Sequence, residues 1–131
     1  MAREVQLDKS TMIVSETDLK GNIIYANEDF CKIAGYTKDE LIGQPHNLVR
    51  HAEMPKIAFA DLWDTIQQNK IWKGIVKNKT KSGDYYWVNA TAYKVTKQDG
   101  EQRYISVRRK PTQDEISHAS TLYKELKEKE I

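Results

Sequence analysis

A chain of 131 residues with 39% apolar and 31% charged side chains suits one globular domain with one core and excludes a largely disordered segment. Its 21 Lys and Arg against 19 Asp and Glu give a net charge of +2, with no long tract of like charge, so neither nucleic acid nor an anionic membrane is demanded as a partner. Cys31 is the only cysteine, which excludes an intramolecular disulfide and a cysteine-based zinc site.

Met12 to Thr17 and Ile23 to Ala26 are short apolar and β-branched runs joined by a turn-rich linker, Asp18 to Asn22, and predict a hairpin. Asn27 then precedes Phe30, Ile33 and Ala34 at helical spacing, with Gly35 as the stop, so a short helix is expected. A second covers Lys38 to Leu41, with Thr37 as N-cap and Glu40 completing a capping box.

Gly43 to Glu53 has no clean period and reads as irregular or one short turn. From Pro55 to Gln68, Ile57, Ala58, Leu62, Trp63 and Ile66 give one apolar helical face, the longest central helix. The period becomes two at Trp72. Trp72, Gly74, Val76 and Asn78 face one way and Lys73, Ile75, Lys77 and Lys79 the other.

Ser82 to Asp84 turns the chain into a strand over Tyr85 to Val95, and Gln98 to Gly100 leads to a last strand, Arg103 to Arg109. The face of Asn78 should continue as Tyr86, Val88, Ala90 and Ala92, whose small pair leaves room for a ring. From Thr112 a capping box with Glu115 opens an amphipathic helix along Ile116, Ala119, Leu122, Tyr123 and Leu126. That helix could pack on its own domain, continue as a coiled-coil linker or dimerise.

The outcome is an α+β domain: a five-stranded antiparallel sheet with short helices and one longer central helix on one face, plus a C-terminal amphipathic helix. An N-terminal cap segment is assigned to residues 1–11, the main domain to 12–110, and a linker or terminal helix to 111–131. Trp87, Tyr93 and Tyr85 share the outer sheet face, either as an interaction patch or covered by Val5 to Lys9. Lys77, Lys79, Lys81 and Arg108, Arg109, Lys110 read as solvated sheet edges.

Asp18, Gly21, Ile23, Tyr25, Asn27 and Phe30, then Gly35, Tyr36, Thr37, Glu40, Leu41 and Gly43, resemble the opening pattern of PAS domains. The Lys81 to Asp84 turn, the Trp87 strand and the Asp99, Gly100 turn fit the same plan, from about Met12 to Arg109. Gln44 to Pro55, with Phe59, Ala60, Asp61, Trp63, Trp72 and Gly74 to Asn78, is similar to the PAS domain of Aer-type aerotaxis receptors. That group binds FAD noncovalently and reads respiratory redox state. One departure is visible: the family's His, Pro, Asp after the arginine is His51, Ala52, Glu53.

The resemblance implies an FAD site. Phe59, Trp63 and Trp72 supply aromatic surface, Asn78 and Asn27 amides, Arg50 and His51 donors, with Glu53 at the family's carboxylate position. Asn27 serves either as a ligand or as a helix cap, and Arg50 either meets the flavin or pairs with Glu53 or Asp61. By similarity to flavin-binding light sensors of this fold, Asn78 matches an asparagine at the ring's pyrimidine edge and Val88 replaces a second one. Their photoactive cysteine falls near His46, so a photoadduct is not expected. Their flexible glutamine corresponds to Arg108, an expected cation beside the ring.

His46 and His51 make a poor metal pair without a third ligand, and surface or capping roles are expected for them. There is no nucleophile motif or glycine-rich phosphate loop, so a non-enzymatic redox sensor signalling to a chemotaxis-type transducer is expected, with a homodimer through the sheet face, cap or terminal helix as a further possibility. The alternatives are a haem-binding gas sensor, with His46 or His51 axial, and a cofactor-free interaction module. With no membrane helix and no apolar signal core at the start, a cytoplasmic location is expected, including that of the cytoplasmic part of an anchored receptor.

Overall fold

A computed structural model describes residues 1–130. Its elements are β1 (Met12–Thr17), β2 (Ile23–Ala26), α1 (Glu28–Ala34), α2 (Lys38–Leu41), a 3-10 turn at His46–Val49, α3 (Lys56–Gln67), β3 (Trp72–Lys79), β4 (Tyr85–Thr96), β5 (Gln102–Arg109) and α4 (Gln113–Glu128). The strands form one antiparallel sheet in the order β2-β1-β5-β4-β3. The expected α+β architecture is therefore present, while Ile131, the last residue of the expected 111–131 segment, lies outside the described residues.

Local chemistry sets the boundaries. The Asp18 carboxylate accepts from the backbone N–H of Lys20 and Asn22 at 2.9 Å each, closing the β1–β2 turn. Thr37 and Thr112 both form the capping boxes expected of them, with Glu40 and Glu115. Gly35 ends α1 at φ 82°, a left-handed position that only glycine adopts at no steric cost.

The strand alternation builds two faces. Inward, the ladder pairs Trp72 with Ala92, Gly74 with Ala90, Val76 with Val88 and Asn78 with Tyr86, the face read from the sequence. Phe30, Ala34, Leu41, Val49 and Ile66 from the helical layer pack against it to complete the core. The row continues across the sheet, since Ala90 pairs with Arg108 and Arg108 with Ile13.

Outward, α4 lies back on its own domain rather than extending away from it. Ala119 is buried, the Tyr123 hydroxyl donates to the Ile75 carbonyl, and Asn89 Nδ2 donates to Glu115 Oε2 at 3.3 Å. The N-terminal segment adds a short parallel pairing of Glu4 with Tyr85 at the start of β4, beyond the end of β5, and Leu7 is buried. Trp87 is consequently 8% exposed, while Tyr85 and Tyr93 on the same face are half-buried. No helix among the described residues is long and apolar enough to cross a membrane.

Candidate functional site

A cavity of about 300 Å³ lies between the inner sheet face, α3 and the turn that follows Pro45, at the lower end of the ~300–1,000 Å³ usual for small-molecule sites. Its floor is set by Ala90 and Ala92, whose side chains are too short to fill the space under α3. Phe59, Leu62, Trp63 and Ile66 come from α3, and Val76 and Asn78 from β3. The indole of Trp63 stands edge-on to Tyr104 with ring centres 5.4 Å apart, and Gly21 approaches it so closely that a Cβ there would lie 3.1 Å from the ring.

Polar atoms converge on the same space. Arg108 is 2% exposed, donates to Ser15 Oγ at 2.6 Å and to His46 Nε2 at 3.2 Å, and lies 4.6 Å from the centre of the Phe30 ring. Among the described residues no carboxylate lines the cavity, although Lys20, Arg50 and Arg108 all do. Burial pulls Arg108 down to about 10, and its Nε has no partner. A buried cation without an acid is costly unless a ligand supplies the acceptor.

His46 joins this group. An arginine can only donate, so Nε2 is the accepting nitrogen, Ser15 Oγ–H also donates to it, and the neutral imidazole carries its proton on Nδ1. Burial, then the positive charges of Arg108 and Arg50, pushes its pKa down to about 3. Behind Asn78, Tyr86 is fully buried; its hydroxyl lies near Asn78 and Arg108 but makes no well-aligned hydrogen bond, and burial raises it to about 12. Asn78 itself is 4% exposed and faces the cavity.

Arg50 follows the 3-10 turn at His46–Val49, its guanidinium 3.8 Å above the ring centre of Phe59 on α3. Burial lowers its pKa, and its Nε is buried without a partner. Neither acid considered for it pairs with it: Glu53 pairs with Lys77, and Asp61 accepts from Trp72 Nε1 at 2.9 Å. The donors of Arg50 are thus left for whatever enters the cavity.

Of the nine residues assigned to a flavin from the sequence, Arg50, Phe59, Trp63, Asn78 and Arg108 line this one cavity. The other four do not. Asn27 is a helix cap: its Oδ1 accepts from Val14 and Phe30 N–H, and its Nδ2 donates to the Met12 carbonyl, which uses up the side chain. Trp72 is core, held by Asp61 and laid over Gly74. His51 accepts the Glu53 N–H on Nδ1 and packs edge-on against Tyr85, toward the outer face. Glu53 is on the outer side as well, and the Lys77 ammonium holds its carboxyl below the ordinary range.

Sequence reasoning missed Ser15, Thr17, His46, Tyr104 and Ser106 as cavity residues. A signal existed for most of them, because Ser15 and Thr17 occupy alternate inward positions on β1 and Tyr104 and Ser106 share the period of Arg108 on β5. His46 was expected at the surface and stands instead in the Arg108 network. For Arg108 the two expectations differ, a solvated edge from its basic neighbours and a cation beside the ring from the resemblance; it is among the most buried side chains of the domain and lines the cavity. Cys31 does not line the cavity, and no cluster of three or more His, Cys, Asp or Glu among the described residues could hold a metal ion.

Comparison with known proteins gives a consistent result. The family model described as PAS fold matches residues 23–108. The chain is 47% identical over 120 residues to the aerotaxis receptor of Escherichia coli K12, covering 92% of this chain and 24% of that protein. It is 30% identical over 122 residues to a nitrogen fixation regulatory protein of Klebsiella oxytoca, again covering 92% and 24%. The chain therefore spans about a quarter of the length of these relatives. In fold it is similar to the LOV domain of the blue-light photoreceptor Aureochrome1 in its light state, with a TM-score of 0.71 at 19% identity over 93% of this chain and 94% of that one. The sequence match over the sheet and its helical layer, together with this shared architecture, places the chain in the PAS family.

Proposed function

We propose that this domain is a redox sensor that binds FAD noncovalently and signals to a chemotaxis-type transducer rather than turning over a substrate. The observation that carries the reading is Arg108: a buried cation, with no carboxylate near it, aimed into an aromatic and apolar slot. Such a site suits a flat, acceptor-rich, anionic ligand. A flavin supplies reversible electron transfer when bound. Trp63 and Phe59 would give it aromatic surface, Asn78 an amide, and Arg50 and Lys20 donors for negatively charged groups.

The residues do the tuning. Arg108 is held by Ser15 and His46, and neutral His46 leaves its positive charge uncompensated. A fixed cation binds the more negative of two redox states more tightly, so it raises the reduction potential of the group beside it. The similarity to an aerotaxis receptor and to a nitrogen fixation regulatory protein supports a sensory role, and a partner of the chemotaxis class follows from the former.

The absorption spectrum of the purified full chain is the direct test. Flavin bands, with FAD identified by chromatography after release, support the reading, and Asn78→Ala and Arg50→Ala should each lower occupancy. A colourless protein that takes up no added FAD, or one with a Soret band, would overturn it.

A further inference from the structure

Glu53 stands outside the cavity, yet it is three residues from Arg50, which stands inside it. The intervening loop crosses the edge strand β3. At the free edge of β3 Arg50 makes an isolated backbone bridge to Asn78, and its side chain lines the cavity. On the outer side Glu53 ion-pairs with Lys77, and the Lys77 N–H donates to Met54 Sδ at 3.4 Å. One loop therefore holds two successive residues of β3 along its free edge, with the Glu53–Lys77 pair added on the outer face.

The outer grip is more than a surface ion pair. Glu53 is 67% exposed, but the Lys77 side chain is 15% exposed and its ammonium lies 4.4 Å from the centre of the Tyr85 ring. Exposed pairs contribute little because water replaces either partner. Here water cannot replace Glu53 freely, and removing the carboxylate leaves an enclosed ammonium unpaired. Arg50 has no acid of its own, so the loop and the Phe59 ring alone set where its guanidinium sits.

A groove beneath α4 begins at the same pair: Glu53, Met54, Lys77 and Trp87 line it from the domain, and Tyr123 and Lys124 from α4. Tyr123 is bonded to the carbonyl of Ile75, two residues before Lys77 on β3. We propose that Glu53 is a positioning residue for the cavity: acting through Lys77, it fixes the loop across β3 so that Arg50 reaches inward, and it thereby ties occupancy of the cavity to the docking of α4. The ligand in this proposal rests on the flavin reading; the mechanical link does not.

Linkage makes the effect reciprocal, which allows two independent readouts on the full chain. With FAD as the probe, Glu53→Gln and Lys77→Gln should each raise the dissociation constant about five- to tenfold. The double variant should be no weaker than either single one, and Glu53→Asp, which keeps the charge, should bind within about twofold of the parent. Without FAD, Arg50→Ala should speed amide exchange of α4 in the parent chain and leave it unchanged in the Glu53→Gln background. Because Glu53 is exposed, its substitution leaves the core intact, and this arm does not depend on Lys77→Gln folding.

Unchanged FAD affinity in Glu53→Gln, additive losses in the double variant, or α4 exchange indifferent to Arg50→Ala would each overturn the proposal. A parent chain that binds no FAD would defeat the flavin reading instead, and the exchange experiment would still decide the role of Glu53.

Discussion

Arg108 Nη1 donates to His46 Nε2 at 3.2 Å, so a permanently charged group is bonded to a histidine that must remain neutral to accept it. Neither group meets a carboxylate in the cavity. The site thus stores positive charge without compensation, and the cost is borne by the folded domain.

Arg108→Met should therefore raise the stability of the ligand-free domain by about 1–3 kcal/mol, because it removes a buried unpaired charge and keeps an apolar chain of similar length. The same change should weaken FAD binding at least tenfold and lower the potential of bound flavin. Urea unfolding of the FAD-free protein, with titration and potentiometry of the loaded one, measures both sides. A variant that is less stable and binds FAD as before would contradict the argument.

Acid should loosen the domain through His46. Its folded pKa of about 3 lies below the usual 6.5, so between these values the unfolded chain binds the proton and the folded one does not. Stability is fully present above about pH 6.5 and is lost as pH falls. His51 is lowered too, chiefly by burial, and acts with the same sign. Because His46 faces the cavity and part of it is open to solvent, a loss of about 1–2 kcal/mol between pH 6.5 and pH 5 is expected. His46→Gln keeps an acceptor for Arg108 but cannot titrate, and should flatten most of this slope in denaturant melts.

The sheet and helix order was legible in the sequence because alternation, capping boxes and turn glycines each act over a few residues. Thr37 with Glu40, and Thr112 with Glu115, could be read from their spacing alone. The cavity was legible where a residue had to be unusual for its place, as with Asn78 inside a strand. Arg108 was reachable only through the resemblance, because spacing alone groups it with a basic edge until the pairing of β5 between β1 and β4 places it at the centre of the sheet. Asn27, Trp72 and Glu53 show the converse. Each is already engaged, by Phe30, Asp61 and Lys77 in turn, and for the last two the partner is distant in sequence, so only three dimensions reveal it.

Gly74 should not tolerate a side chain. A Cβ there would lie 2.4 Å from Cη2 and 2.6 Å from Cζ2 of the Trp72 indole, and the ring is held by its bond to Asp61. Gly74→Ala must tilt the indole and strain that bond, at about 1–3 kcal/mol. The parallel variant Trp72→Phe is smaller and lacks the N–H, so the clash should be relieved. Adding Gly74→Ala to Trp72→Phe should therefore cost much less than adding it to the parent, and equal costs in the two backgrounds, measured by thermal unfolding, would show that the contact carries no energy.

Ala92 offers the sharpest separation of ligand binding from folding. It is 5% exposed, pairs with Trp72 and Ser106, and lines the cavity with Ala90 beneath α3. Ala92→Leu places three more carbons in space that the ligand-free chain leaves open, so it should stabilise that form by about 0.5–2 kcal/mol. The same carbons compete with any ring entering between Trp63 and Asn78, so FAD occupancy should fall by about tenfold or more. A more stable protein that no longer takes up FAD identifies the cavity as the binding site, since a global defect would lower stability along with occupancy. Full occupancy with raised stability would place the ligand elsewhere, and Ala90→Leu, one inward position along β4 and directly opposite Arg108, would then be expected to leave binding untouched as well.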